Sequence, residues 1–205
     1  IKKEIDPYSL SYYFNYGFCP TEESIFKNVK KLKPNSYLKL DLKSWILSIF
    51  EIHNKSLTNT VKNKFESTKI EALLRNSVEK RLISDVPVSL LLSSGIDSSL
   101  ISYYASEVNK NIDTYTVGFS NSLYDESKDG KKIAKYFGLK NNTIMLDSNN
   151  LSKSIHDLSD TFDEPFADSS QIPTYLVCKA ARQYVTVALS GDGGDELFGG
   201  YNRYF

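Results

Sequence analysis

Apolar positions follow two alternating periods in the part of the chain after residue 65. Between Phe65 and Leu82, apolar residues recur at intervals of three and four, which predicts a helix with one buried face. Val88–Leu92 is a short and almost wholly apolar run, which is typical of a central parallel strand. The residues from Ser98 to Val108 favour a helix again. Predicted helices and a predicted buried strand therefore alternate along this part of the sequence.

The same alternation continues toward residue 190. We predict further strands at residues 113–119, 142–146 and 185–189, and helices at residues 126–137, 151–161 and 172–184. Strands and helices that alternate through short connections form a parallel sheet with helices on both faces. The predicted fold class is therefore α/β and Rossmann-like, with a ligand at the carboxyl ends of the strands.

The region before residue 60 has a different pattern. From Tyr8 to Ile52 the sequence is aromatic, and we predict strands around Tyr12–Phe14, Tyr37–Leu40 and Trp45–Leu47. The stretch from Asn54 to Lys64 is polar and without apolar period, so it is predicted to be a linker. We accordingly expect a β-rich tail of another domain at residues 1–60 and a second domain at residues 61–205.

Charge and cysteine content narrow the class of protein. Twenty-five basic residues balance 25 acidic ones, so no overall field attracts the chain to nucleic acid or to an anionic membrane. No apolar run approaches the roughly 20 residues of a transmembrane helix. Cys19 and Cys178 lie far apart and fit no metal-ligand spacing, which favours a reducing compartment. We predict a cytoplasmic protein that binds neither nucleic acid nor membranes.

The segment from Ser93 to Ser99 has the composition of a phosphate-binding loop. Its small and hydroxyl-bearing residues stand between a predicted buried strand and a helix, where backbone N–H groups and the helix dipole favour an anion. The carboxylate of Asp97 would repel a phosphate unless a divalent cation such as Mg²⁺ lies between them. The simpler alternative is that Asp97 or Ser93 only caps the helix.

Two common nucleotide motifs do not fit. The first loop has no Lys after its Gly and no second Gly at Walker A spacing, which disfavours transfer of a γ-phosphate. Gly191 and Gly193 begin like a dinucleotide fingerprint, but Glu196 occupies its third glycine position. A nicotinamide or flavin site is therefore disfavoured.

A second loop, from Ser190 to Glu196, clusters carboxylates among glycines. Asp192, Asp195 and Glu196 cannot all stay charged in a dry pocket without a compensating cation or bound protons. The alternative is a surface loop of solvated acids. The neighbouring glycines argue against that alternative, because their flexibility is costly unless the backbone must approach something closely.

Several segments together resemble the asparagine synthetase family. Asp85–Val88 followed by Leu92–Ser99 is similar to the pyrophosphate loop of these enzymes. Further matching segments follow in the family's order, namely Tyr115–Phe119, Tyr124–Ser127, Asp163–Ser170 and Ser190–Tyr201. Residues 16–20 and 31–35 resemble more loosely the last strands of the family's glutaminase domain.

The resemblance implies a site that binds ATP and Mg²⁺ on an adenine nucleotide alpha hydrolase-like fold. The phosphates of ATP would be held by Ser93, Gly95, Ser98 and Ser99, and Mg²⁺ by Asp97 and Asp195. The adenosine end would contact Leu91, Val117, Ser190 and Gly191. Asp192 would handle protons during attack by ammonia, and Glu196 would orient the amino acid substrate. The alternative for Glu196 is a place in the first turn of a short helix.

The resemblance also implies the reaction. Aspartate would be adenylated on its side-chain carboxylate with release of pyrophosphate, and ammonia derived from glutamine would then give asparagine and AMP. Because no initiator Met begins the sequence and Phe205 follows a glycine-rich loop, we expect a chain that is truncated at both ends and inactive by itself. The full-length protein could be a homodimer. The alternatives are an amidotransferase for a sugar or antibiotic precursor, and a nucleotide-binding module without catalysis.

The remaining residues receive structural interpretations. Ser94 replaces a glycine of the wider enzyme class, and we expect it to be tolerated only at negative φ. His53 and His156 are predicted to lie on the surface. Cys178 is predicted to pack in the core, and Cys19 to be structural. Glu164 precedes Pro165 and is compatible with a simple turn, although Asp163, Asp168 and Ser169 match a family segment near the active site.

Overall fold

A computed structural model of the protein describes residues 2–52, 66–119, 125, 127–146 and 148–204. The chain divides into two compact units. Unit 1 comprises Ile1–Lys64 and Asp157–Ser169, and unit 2 comprises Phe65–His156 and Ser170–Phe205. The predicted linker and the predicted domain boundary near residue 60 lie outside the described residues.

Unit 1 contains a helix and a two-stranded hairpin. Helix α1 spans Pro7–Tyr16, strand β1 spans Ser36–Leu40, and strand β2 spans Leu47–Glu51. The two strands are antiparallel, with Ser36 opposite Glu51 and Leu40 opposite Leu47. The strand predicted at Tyr37–Leu40 is confirmed. The strand predicted at Trp45–Leu47 begins only at Leu47, because Trp45 has a φ of 57° and lies in the turn.

The strand predicted around Tyr12–Phe14 is wrong, since these residues lie within α1. The Asp6 carboxylate accepts a hydrogen bond of 2.8 Å from the Ser9 N–H and caps the helix, which Pro7 begins. Gly17 ends the helix at a φ of 80° and donates to the Tyr13 carbonyl at 2.7 Å. These two caps outweigh the strand preference of the aromatic residues, which is weak and depends on context.

Unit 2 alternates helix and strand as the apolar periods predicted. Its helices are α2 at Ser67–Arg81, α3 at Ile96–Val108, α4 at Ser127–Phe137, α6 at Gln171–Ala181 and α7 at Gly194–Phe198. Its strands are β3 at Val88–Leu91, β4 at Asp113–Phe119, β5 at Lys140–Leu146 and β6 at Val187–Leu189. Helix α5 spans Ser148–Thr161, and a 3-10 helix spans Asn202–Tyr204.

The four strands of unit 2 form one parallel sheet in the order β5-β4-β3-β6. Leu90 lies opposite Thr114 of β4 and opposite Leu189 of β6, so β3 is flanked by strands on both sides. The carboxyl ends of β3 and β6 are consequently neighbours at one edge of the sheet, where α/β proteins bind ligands. The predicted α/β fold class is confirmed.

The core of unit 2 lies on both faces of this sheet. Leu90 is fully buried in a cluster with residues of α2, α3 and α4, including Val78, Tyr104 and Ala134. Its neighbour Leu91 packs in a second cluster, formed by Tyr115, Val177, Ala181 and partly buried residues around them. Successive strand residues point to opposite faces, so the two clusters cover the two sides of β3. In the described part of the chain no helix is long and apolar enough to cross a membrane.

Replacing Leu90 by Ala tests the position of this core. The side chain is fully buried, so we expect Leu90→Ala to lower the free energy of unfolding by about 2–5 kcal/mol. Leu73 lies on α2 with 60% of its surface exposed, and Leu73→Ala should cost less than about 0.5 kcal/mol. Urea denaturation of the intact protein measures both. Equal losses from the two variants would contradict the assignment of Leu90 to the core.

Candidate active site

The loop between β3 and α3 is shaped by its own serine side chains. The Ser98 hydroxyl accepts the Ser93 N–H at 3.2 Å and lies 3.2 Å from the Gly95 carbonyl, to which it donates. The Ser93 hydroxyl accepts the Gly95 N–H at 3.1 Å. Ser99 donates to the same Gly95 carbonyl at 2.7 Å. The predicted phosphate loop is therefore held in one compact shape directly before a helix of 13 residues.

The alternative that Asp97 or Ser93 caps α3 is wrong. The N-cap of this helix is Gly95, with φ −70° and ψ 155°, and no side chain caps it by a hydrogen bond. Ser94 fulfils its predicted condition, because the described non-glycine residues with positive φ are Asn28, Asn35 and Trp45. A serine at this position therefore causes no backbone strain.

The loop that follows β6 lies directly against the first loop. A Cβ atom at Gly191 would lie 2.7 Å from the Ser98 backbone nitrogen and 3.0 Å from the Asp97 Cβ atom. A Cβ atom at Gly194 would overlap the Asp97 carboxylate. Glycine is required at both positions because the two loops leave no space for a side chain. The structure thus brings together the two strand-end loops that the sequence analysis singled out.

The Asp97 carboxylate is directed at the start of α7. Loss of contact with water raises the pKa of Asp97, and the negative charges of Asp195 and Glu196 raise this pKa further. The Asp195 backbone N–H donates to the Asp97 carboxylate and opposes that shift. Asp97 therefore carries its charge in a place where neighbouring charges disfavour it.

This donor set fits Mg²⁺. Asp97 and Asp195 offer hard oxygen ligands, and a divalent cation would remove the repulsion that raises the pKa of Asp97. Among the described residues, no group of three or more His, Cys, Asp and Glu side chains could hold a metal ion. Mg²⁺ is usually held by one or two carboxylates together with water and substrate phosphates, and Asp97 and Asp195 would supply such carboxylates.

The two other acids of the second loop have defined partners. The Ser190 hydroxyl donates to Asp192 Oδ2 at 2.9 Å, which fixes the side chain of Asp192 beside the end of β6. Glu196 lies in the first turn of α7, as its alternative interpretation predicted, and Oε1 accepts the Tyr201 hydroxyl at 2.8 Å. Both side chains are exposed. The catalytic roles suggested for them remain predictions.

The two apolar residues predicted to contact adenosine lie on the same face of the sheet. Leu91 ends β3, Val117 lies in β4, and both pack in the cluster of Tyr115, Val177 and Ala181. Ser190 and Gly191 follow β6, the strand on the other side of β3. These four residues are therefore carried by three neighbouring strands.

A cavity of about 280 Å³ lies beside the second loop. Its walls come from α2, α3 and α7, and include Val78, Tyr104 and Phe198. Asp97 and residues 190–194 also line it, whereas Ser93 and Gly95 do not. Asp97 therefore borders a cavity with apolar walls, and its burial is the largest cause of its raised pKa.

Predictions for the isolated residues had mixed outcomes. Cys19 is buried and His156 is exposed, as predicted. The prediction that Cys178 packs in the core is wrong, since this residue is exposed. The buried stripe of α6 consists of Val177 and Ala181, four residues apart, and Cys178 lies beside that stripe. His53 lies outside the described residues.

Asp97→Asn should make the protein more stable at neutral pH without nucleotide or added Mg²⁺. A carboxyl whose pKa is raised by folding destabilises the fold at pH values above that raised pKa, and the cost vanishes below the ordinary Asp pKa of about 3.9. Asparagine keeps an acceptor for the Asp195 N–H but carries no charge.

Thermal denaturation of the intact protein from about pH 4 to pH 8 would measure this difference. The exposed Asp129, paired with Lys132, supplies the control variant Asp129→Asn. A variant Asp97→Asn that is less stable than the wild type at neutral pH would contradict this account of Asp97.

A comparison with solved structures gives a partial resemblance. The chain aligns with the glutamine-dependent NAD+ synthetase from Acinetobacter baumannii in complex with ADP at a TM-score of 0.49 and 18% identity. The alignment covers 80% of this chain and 31% of that chain.

Comparison with protein sequences is more specific. The chain is 34% identical over 203 residues to asparagine synthetase (glutamine-hydrolyzing) 1 of Bacillus subtilis, over 98% of this chain and 32% of that protein. It is 36% identical over 211 residues to putative asparagine synthetase (glutamine-hydrolyzing) 2 of Methanocaldococcus jannaschii, over 98% and 39%. The chain thus spans between 32% and 39% of the length of these two relatives. Residues 69–205 match the family model described as asparagine synthase. This chain belongs to the asparagine synthase family.

Proposed function

We propose that the intact protein is a glutamine-hydrolysing asparagine synthetase whose site for ATP and aspartate lies between the loops at 93–99 and 190–196. The observation that carries this proposal is the close approach of Gly191 to Ser98 and Asp97. This contact joins an anion-binding loop to a cluster of acids at the carboxyl ends of two adjacent strands. Family membership supports the same reaction class.

The first loop supplies the phosphate site of this proposal. Ser93, Gly95 and Ser99 lie on the loop and at the start of α3, where backbone N–H groups and the helix dipole favour negative charge. Ser98 is proposed to bind the phosphates with them, and its buried hydroxyl also holds the loop in shape through bonds within the loop. Leu91, Val117, Ser190 and Gly191 would bind the adenosine end.

Mg²⁺ would be held by Asp97 and Asp195. When bound, it would neutralise charge on the phosphates and on the pyrophosphate that leaves. The protein's own residues keep these two acids in place, since the Asp195 N–H donates to the Asp97 carboxylate. The same cation would offset the cost of ionising Asp97 beside Asp195 and Glu196.

The proposed reaction has two balanced steps. A side-chain carboxylate oxygen of aspartate bonds to the α-phosphorus of ATP, and the bond from that phosphorus to the bridging oxygen breaks to release pyrophosphate. Ammonia then attacks the activated carbonyl carbon, AMP leaves, and one proton is lost from nitrogen. Asp192, fixed by Ser190, is the candidate for accepting that proton. Glu196 would pair with the ammonium group of aspartate.

The nitrogen would come from glutamine. Hydrolysis of glutamine by water gives glutamate and ammonia, and we propose that residues 1–60 are the C-terminal part of the domain that catalyses this step. We further propose that the protein acts in the cytoplasm and that the full-length form could be a homodimer. In this proposal the acceptor is aspartate.

Pyrophosphate release that depends on aspartate tests this function. The intact protein with ATP, Mg²⁺ and ammonium should release one pyrophosphate and form one asparagine per turnover, and should do so with L-aspartate but not with L-glutamate. Release only with a sugar or another carboxylate would assign the protein to a related amidotransferase. Binding of ATP without pyrophosphate release for any acceptor would leave a nucleotide-binding module and refute the proposal.

Gly191→Ala should impair the use of ATP. The added methyl would lie 2.7 Å from the Ser98 backbone nitrogen, so the two loops must separate. Because a displacement of 1 Å in a catalytic site can cost about 10²-fold in rate, we expect kcat/KM for ATP to fall by one to two orders of magnitude.

Gly193→Asn serves as the matched control in the same loop. A Cβ atom at Gly193 would meet nothing within 4 Å, and asparagine tolerates the φ of 91° better than most residues. Steady-state kinetics with varied ATP would measure both variants. If Gly191→Ala left the kinetics unchanged, the contact between the two loops would not be needed for the use of ATP.

A further inference from the structure

A short segment of the family-matched region belongs structurally to the N-terminal unit. Residues 157–169 lie within the matched range 69–205, yet they form one compact unit with residues from the first part of the chain. The residues immediately before and after this segment belong to unit 2. The chain thus leaves unit 2 at residue 157 and returns to it at residue 170.

Glu164 connects this segment to residues 25 and 31 of unit 1 through its carboxylate. Its Oε1 atom lies 2.5 Å from the Nζ atom of Lys31, and its Oε2 atom accepts the Ile25 N–H at 3.3 Å. One carboxylate therefore receives two donors that lie more than 130 positions away in the sequence. The sequence around Pro165 is compatible with a simple turn and contains no sign of these partners.

The surroundings of this carboxylate distinguish the contact from an exposed surface ion pair. The side chains of Glu164 and Lys31 are 24% and 35% exposed, and the Cys19 and Ile25 residues beside them are buried. Burial, and next the charge of Glu164, raise the pKa of the Cys19 thiol. Ion pairs are screened less as they leave water, and removal of one partner leaves the other unsatisfied.

A second contact fastens the same segment three residues later. The Ala167 N–H donates to the Gly17 carbonyl at 2.6 Å. A Cβ atom at Gly17 would lie only 3.0 Å from the Ala167 Cβ atom, so the two backbones run close together. The segment is therefore held against residues 17–31 by a charged contact and a backbone contact.

Chain connectivity links this anchor to the predicted adenosine site. Helix α6 begins at Gln171, seven residues after Glu164, and its Val177 packs in the same cluster as Leu91 and Val117. At the other end of the contact, residues 17–31 belong to the region proposed as the tail of the glutaminase domain. Glu164 thus contacts the region proposed as the glutaminase tail and is joined by seven residues of chain to the start of α6.

We propose that Glu164 is a positioning residue that couples glutamine hydrolysis to asparagine formation by anchoring segment 157–169 to residues 17–31. This inference rests on the proposed function. Loss of the anchor should leave the adenylation of aspartate intact, because the contacts that Glu164 makes with Ile25 and Lys31 lie within unit 1. It should reduce the fraction of glutamine-derived ammonia that becomes asparagine.

The test compares two nitrogen sources in the intact protein. In Glu164→Gln, we expect the rate of glutamine-dependent synthesis to fall about tenfold. This loss is smaller than the ~10²-fold that a misplacement of 1 Å in a catalytic site can cost. The rate of synthesis with ammonium chloride should stay within about twofold of the wild-type rate, which corresponds to a change of ~0.4 kcal/mol in the activation free energy. The ratio of glutamate formed to asparagine formed should rise above one.

Two further variants separate coupling from a general loss of stability. Lys31→Met should reproduce the effect, and the double variant with Glu164→Gln should add little to either single change, since both remove one interaction. Glu23→Gln is the matched control, because it breaks the more exposed pair of Glu23 with Lys30 in the same unit. This control should leave the ratio of the two activities unchanged.

Release of the anchor has its own readout. Cys19 is buried and Cys178 is exposed, so alkylation of Cys19 relative to Cys178, measured by peptide mass spectrometry, should accelerate in Lys31→Met, where the charge of Glu164 still raises the pKa of the Cys19 thiol. Exchange of the Ala167 amide hydrogen should accelerate as well.

An equal fall of both activities, or an unchanged ratio of glutamate to asparagine, would overturn the coupling role of Glu164. A wild-type protein that makes no asparagine from ammonium chloride would instead overturn the proposed function, and the alkylation rates would then judge the anchor alone.

Discussion

The close approach of Gly191 to Ser98 and Asp97 determines the character of the whole candidate site. Gly191 and Gly194 carry no Cβ atom, so the second loop can lie near enough for the Asp195 N–H to reach the Asp97 carboxylate. The same proximity exposes Asp97 to the charges of Asp195 and Glu196 and removes it from water. The contact that brings the two loops together therefore also makes the charged form of Asp97 less favourable. Functional sites commonly contain groups whose pKa is shifted in this way.

The sheet makes this contact possible between residues far apart in the sequence. Strand β3 pairs with β4 on one side and with β6 on the other, and Leu90 lies opposite Leu189. Parallel pairing in this register brings Leu92 and Ser190 to the same edge, although two other strands and four helices lie between them in the chain. The buried Leu90 and Leu91 clusters hold β3 from both faces. The geometry of the site thus depends on the packing of the central strand.

The sequence predicted those features that follow from local periodicity. Strand β4 has the bounds that the sequence predicts, and most residues of Asp113–Phe119 are of the β-branched and aromatic types that favour strands. Helix α1 was predicted as strand, since the decisive information was the pair of caps at Asp6 and Gly17 rather than the aromatic composition. Cys178 was misplaced by one position on α6, where a rotation of about 100° separates buried from exposed.

Contacts between distant segments could not be predicted in this way, and they distinguish two kinds of carboxylate. Glu164 has a cation, Lys31, within hydrogen-bond distance, so its charge is balanced inside unit 1 and its role is to hold chain segments together. For Asp97 both neighbouring charges that act on its pKa are negative, and a backbone N–H is its one favourable contact among those that shift this pKa. A partly buried acid without a balancing side chain is costly unless a ligand brings the missing charge. The ligand is therefore placed at Asp97, whose negative charge has no balancing side chain among the groups that shift its pKa. The anchor is placed at Glu164, whose charge is balanced by Lys31.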